Sequence, residues 1–215
     1  MPLAFQPQIS NRARVSLPYT ALRVTEANSI PLFEGHVRRL GEASREALQV
    51  FGSQASAGVY RVTWDGIQLT TTQRPPSRLV EGMPTRVLVS PFAGLRGRFP
   101  KPLPPSPYEG VRVAGIATLL TDAGGEEFYE TCVAGLLAWD GQTVVLPPEE
   151  VPAVASLAEA AVAEHGAFRR APLRVDGDWP LLLINAVAGS CAVNVPGRRA
   201  FPKDVRARLD AILSR

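Results

Sequence analysis

The sequence predicts an α+β protein made of two small domains with a cleft between them, and three observations lead there. Short stretches of strand character, rich in β-branched and aromatic residues, recur along both halves. Helical spacing of apolar residues is confined to a few segments among them. Near the middle, Arg98 to Pro107 (RFPKPLPPSP) carries five prolines in ten residues, a density that no helix interior or central strand accommodates. That stretch marks residues 101–107 as a linker between an N-terminal domain, 1–100, and a C-terminal domain, 108–215.

The elements follow in order. Tyr19 to Thr25 reads as a strand. From Glu34 to Phe51, Val37, Leu40, Ala43, Ala47, Leu48 and Phe51 recur at three- and four-residue spacing, which predicts one amphipathic helix. Gly58 to Trp64 and Ile67 to Thr72 form a hairpin about Asp65-Gly66, and Arg86 to Pro91 is a further strand. Past the linker, Gly110 to Thr121, Phe128 to Ala134 and Leu136 to Trp139 read as strands. Asp140-Gly141 turns the last of these into Thr143 to Leu146. Val154 to Glu164 is an alanine-rich helix. Pro180 to Asn185 (PLLLIN) is a buried-strand run that Val187 to Val195 extends, and Val205 to Leu213 closes as a helix.

Composition narrows the function. Hydrophobic residues make up 46% and charged residues 20%, as in ordinary soluble proteins. No apolar run approaches the roughly 20 residues of a membrane span, and the opening MPLAFQPQISNRAR has no signal-peptide pattern. A cytoplasmic protein is expected. Cys132 and Cys191, with only His36 and His165, make neither a disulfide framework nor a zinc site. The net charge of +3 is spread out, which suits a small anionic ligand but not a nucleic acid.

Four motifs stand in order along the chain. Tyr19-Thr20-Ala21-Leu22-Arg23 is similar to an F-E-T-L-R strand, and Leu32-Phe33 with His36-Val37-Arg38-Arg39-Leu40 to an L-F…H-x-x-R-L helix start. Glu130-Thr131-Cys132-Val133-Ala134-Gly135-Leu136 is similar to E-T-S-x-x-N-L, and Asn185-Ala186-Val187-Ala188-Gly189 to the end of a T-N-S-x-x-G strand. Together they resemble the fold-type IV pyridoxal-phosphate family, which includes branched-chain and D-amino-acid aminotransferases and aminodeoxychorismate lyase. The resemblance implies that fold, a homodimer, an amino-acid-like substrate and pyridoxal phosphate as cofactor. Arg39 would hold the cofactor phosphate with the backbone of Asn185 and Ala186, and Glu130 would keep the ring nitrogen protonated. Read without the resemblance, Arg39 and Glu130 are equally ordinary solvated groups, Asn185 a turn residue and His36 a locally packed one.

The chain departs from the family's pattern at the lysine that forms its Schiff base. It has two lysines, Lys101, caged between Pro100 and Pro102, and Lys203, beyond every motif. Ala153-Val154-Ala155-Ser156 stands where a G-I/V-T-R helix start would be, and Gly135 stands where an asparagine would be. The expectation is a class IV aminotransferase-like protein that has lost the Schiff-base lysine, with no catalytic residue assigned. Two alternatives remain: an active pyridoxal-phosphate aminotransferase or lyase using Lys101, and a non-enzymatic module for a small anion or a protein. Pro104 to Pro107 reads as a spacer, with a polyproline docking strip as the other reading.

Overall fold

The computed structural model describes residues 17–76, 79–100 and 106–215. Alternation along β1 (Tyr19–Val24) and β2 (Gly58–Trp64) builds the first sheet, an antiparallel three-stranded one completed by β3 (Leu69–Arg74). Leu22, Val24, Tyr60, Val62 and Trp64 turn inward and pack with Val37, Leu40 and Leu48. The β2–β3 turn forms as Asp65-Gly66 predicts: the Asp65 carboxylate accepts the N–H groups of Ile67 and Gln68, each at 2.8 Å, and Gly66 takes φ 100°.

The single helix expected over 34–51 is two: α1 (Phe33–Leu40) and α2 (Arg45–Gln54), joined by a 3-10 turn at Glu42–Ser44. The break is at Gly41, whose φ of 102° closes α1 with an N–H bond to Val37 while its carbonyl accepts the Ser44 hydroxyl. Apolar spacing continues across the break, so periodicity alone did not reveal it.

The second sheet has nine strands: β4 (Met83–Val89), β5 (Ala117–Thr121), β6 (Glu127–Thr131), β7 (Gly135–Trp139), β8 (Val144–Leu146), β9 (Phe168–Arg170), β10 (Leu173–Arg174), β11 (Leu181–Asn185) and β12 (Gly189–Asn194). Their order is β10-β6-β5-β4-β12-β11-β7-β8-β9. The chain passes from one sheet to the other between β3 and β4, since β4 lies between β5 and β12 and runs parallel to both. Residues 101–105 of the expected linker lie outside the described residues.

Gly110 to Thr121 does not form one strand. Ser106 caps a short helix, α3 (Pro107–Val111), with its hydroxyl accepting the Tyr108 N–H and proline in the first turn, and β5 begins only at Ala117. Similarly, β6 ends at Thr131 rather than Ala134. The three- and two-residue strands β9 and β10 have no signature of their own and exist through their pairing with β8 and β6, respectively.

The apolar run of β11 is explained by burial on both faces. Leu181 and Leu183 join Leu119, Phe128 and Leu136 on one side. Leu182 and Ile184 pack on the other against Val162 of α4 (Leu157–His165) and Leu209 and Leu213 of α5 (Lys203–Leu213). Among the described residues no helix is long and apolar enough to cross a membrane.

Candidate functional site

A cavity of about 330 Å³ opens between the outward face of the three-stranded sheet and the ends of β6, β7 and β11. Register explains its first wall. Tyr19 and Ala21 of β1 and Val59 and Arg61 of β2 alternate with the inward residues and so face the cavity, and Arg74 of β3 lies opposite Val59 on the same side. The Arg61 guanidinium sits 5.5 Å from the centre of the Tyr19 ring. Arg39 enters from the last turn of α1, and Arg112 from just past α3. The guanidinium groups of Arg61, Arg74 and Arg112 have neither an ion-pair nor a hydrogen-bond partner among the described residues.

The floor is carboxylate. Glu130, near the end of β6, is 4% exposed. One of its oxygens accepts the Tyr108 hydroxyl proton and the other the Val154 N–H at 3.0 Å. Burial pushes its carboxyl up to about 7, against the lowering effect of those two donors and of Arg98. The same burial, with the Glu130 charge beside it, holds the Tyr108 phenol far above its ordinary range. Behind this pair Glu159 of α4 meets Arg98 at 3.0 Å, and it too is pushed up to about 7, chiefly by burial. Glu159 Oε1 and Arg98 Nη1 are buried without a hydrogen-bond partner.

The remaining wall comes from two turns and a helix start. Asn185 ends β11, donating to the Val133 carbonyl at 2.6 Å and accepting from Val187 and Ala188 at 2.8 and 3.2 Å. Ala186 follows it on the cavity surface. Ser156 caps α4, its hydroxyl accepting the Glu159 N–H. Arg39 donates to the carbonyl of Ala155, and burial lowers its guanidinium from the usual value.

Known structures resemble this one over nearly its whole length. A 4-amino-4-deoxychorismate lyase from Pseudomonas aeruginosa matches with a TM-score of 0.68 at 17% identity, over 94% of this chain and 91% of its own. A hypothetical aminotransferase from Mycobacterium tuberculosis, in its PLP-bound form, matches at 0.67 and 17%, over 97% and 94%. A fold IV-transaminase from Curtobacterium pusillum matches at 0.61 and 15%, over 94% and 87%. The chain has the fold-type IV fold. No protein-family model matches the sequence, and no curated protein matches it. At these identities the likeness speaks for the fold and not for activity.

Within the fold-type IV frame, the four residues singled out from sequence, Arg39, Glu130, Asn185 and Ala186, line one cavity. They come from three separate stretches of chain. His36 stays out of the cavity: it is fully buried, bonds Thr20 at 2.7 Å and is held near pKa 3 mainly by desolvation. Lys203 opens α5 and does not line the cavity, and Lys101 lies outside the described residues. Sequence reasoning missed Tyr108, Glu159, Arg98 and the arginines of β2 and β3. Ser156-x-x-Glu159 has the pattern of a capping box, the signal that could have drawn attention to Glu159, but the Glu159 side chain pairs with Arg98 instead of returning to its cap.

Proposed function

We propose that this chain is a class IV aminotransferase-like protein, related to the aminotransferases and aminodeoxychorismate lyases, whose cavity holds a small carboxylate-bearing anion without Schiff-base chemistry. The observation that carries the reading is the set of arginines Arg61, Arg74 and Arg112, facing one cavity with no acidic partner among the described residues. A guanidinium recognises a planar carboxylate through paired N–H donors, and partial burial strengthens that contact.

Pyridoxal phosphate does not fit these residues as they stand. The Glu130 oxygens already take Tyr108 and Val154, and Arg39 is turned to the Ala155 carbonyl. The buried Glu159 carboxylate lies behind the start of α4, close to where a phosphate dianion would need donors. Lys203, the lysine among the described residues, is on another helix away from the cavity. In this reading Arg61 and Arg74 bind the acid group, Tyr19 and Val59 shape the wall beside it, and Glu130 holds a proton near neutrality at the floor.

The reading places the protein in the cytoplasm as a homodimer of two-domain chains. Light scattering and limited proteolysis report on the last two points. Binding is tested by calorimetric titration with α-ketoglutarate and, separately, with inorganic phosphate. Saturable heat with the ketoacid that disappears in the Arg61→Ala/Arg74→Ala protein supports the proposal, and no saturable heat sinks it. The competing enzyme reading wins if borohydride fixes added pyridoxal phosphate on Lys101 and the protein turns over an amino donor.

A further inference from the structure

The floor of the cavity carries a feature that goes beyond anion binding. Tyr108 stands at the first turn of α3, its N–H capped by Ser106 at 3.3 Å. Its ring is buried edge-on against Phe92 at 5.1 Å, and Phe92 in turn packs on Phe99 at 4.7 Å. This aromatic row delivers one hydroxyl to one oxygen of Glu130. In chemical form that is the contact a protonated pyridine makes with a carboxylate: a single donor on a flat ring, aimed at a single oxygen. The second oxygen is held by the Val154 N–H, so the carboxylate is fixed in orientation from within the chain.

A second observation, independent of the first, lies under the start of α4. Glu159 fills the space beside Gly135, and Arg98 anchors it there. In its ionised form it opposes a dianion at the helix start, which otherwise attracts one. Both the ring end and the phosphate end of a pyridoxal-phosphate site are therefore met by the chain's own groups.

We propose that Tyr108 is a built-in occupant of the ring-nitrogen contact, so that the cavity receives carboxylate-bearing anions directly and does not take pyridoxal phosphate. The anion class rests on the reading of the preceding section, whereas the role of Tyr108 does not. Removing the phenol ring opens both the space and the Glu130 oxygen. Removing only the hydroxyl frees the oxygen but leaves the ring in place.

The test uses pyridoxamine phosphate, which has no aldehyde and so reads the contacts without any lysine. Calorimetry on the full chain gives no saturable heat for wild type. Tyr108→Ala gains saturable binding, tighter than wild type by at least about tenfold, or about 1.4 kcal/mol, while Tyr108→Phe stays close to wild type. Saturable binding by wild type that Tyr108→Ala does not improve overturns the proposal. Should Tyr108→Ala fail to fold, wild type decides alone: a rise in melting temperature with pyridoxamine phosphate refutes it, and an unchanged melting temperature upholds it. Loss of α-ketoglutarate binding with these results intact removes only the anion reading.

Discussion

The Glu159 carboxylate occupies the space that a side chain on Gly135 would need: a Cβ at Gly135 would lie 2.8 Å from Glu159 Oε1 and 3.2 Å from Ser156 Oγ. The two positions are coupled, one giving up its side chain and the other filling the gap with an anchored charge. Gly135→Ala is therefore destabilising by about 1–3 kcal/mol, the range of overpacking in a tight interior. Urea denaturation of the single and double mutants with Glu159→Ala forms a cycle, because the alanine removes the side-chain atoms that a Cβ at position 135 would meet. The substitutions couple through this contact, and additivity within about 0.5 kcal/mol would show that they do not meet.

Acidity follows from the same region. Glu130 and Glu159 both titrate near 7 in the folded protein, raised by burial from an unfolded value of about 4.3. A carboxyl raised in this way binds more protons folded than unfolded, so its contribution is fully present below the unfolded value and is lost as pH rises through 7. The protein is thus more resistant to urea near about pH 5 than near about pH 8, by up to roughly 3 kcal/mol per carboxyl. Surface carboxylates held below their ordinary range, such as Asp65 and Asp140, act in the opposite sense but have finished titrating below that window. Glu159→Gln flattens the profile. A midpoint that rises from pH 5 to pH 8 in wild type would contradict the burial of both groups.

Local chemistry was legible in the sequence, and long-range partnership was not. Asp65-Gly66 and Asp140-Gly141 announce their turns because the stabilising bonds lie within three residues: Asp140 accepts from Gln142 and Thr143 just as Asp65 does from its neighbours. Arg39, Glu130, Asn185 and Ala186 were found as motif positions, and the fold brings all four to one cavity. Tyr108 was not found, because its role depends on Glu130, 22 residues away, and its helix follows prolines that read as linker. Arg98 pairs with Glu159 across the nine-stranded half, where spacing carries no information. The arginines of β2 and β3 stand on the face of their strands that alternates with the buried one, and only the position of the second sheet turns that face into a cavity wall.

Those arginines separate binding from folding. The Arg74 side chain has neither an ion-pair nor a hydrogen-bond partner among the described residues, so Arg74→Ala leaves folding stability within about 0.5 kcal/mol of wild type. It weakens α-ketoglutarate binding by about tenfold, the effect of one charge-assisted contact. Arg61→Ala weakens binding similarly and also removes the stacking on Tyr19, worth about 0.5–1 kcal/mol. Affinity falls with added salt in wild type and less steeply in either variant. Equal salt dependence in all three proteins would place the anion elsewhere.

Asn185 holds the two turns of the cavity wall together, and its removal is the most direct probe of their order. Its amide nitrogen bonds Val133 in the β6–β7 turn, while its oxygen collects the N–H groups of Val187 and Ala188 in the β11–β12 turn. Asn185→Ala leaves those three backbone groups to solvent or unpaired, at about 1–3 kcal/mol. Asn185→Asp keeps the two accepted bonds but sets a carboxylate against the Val133 carbonyl oxygen, so it rescues only the β11–β12 side. Hydrogen exchange tells the two effects apart. Protection at Val187 and Ala188 falls in Asn185→Ala and is kept in Asn185→Asp, whereas the Cys132–Ala134 turn loosens in both. Uniform loss of protection across the sheet would instead mean that Asn185 supports the fold as a whole and not the cavity wall.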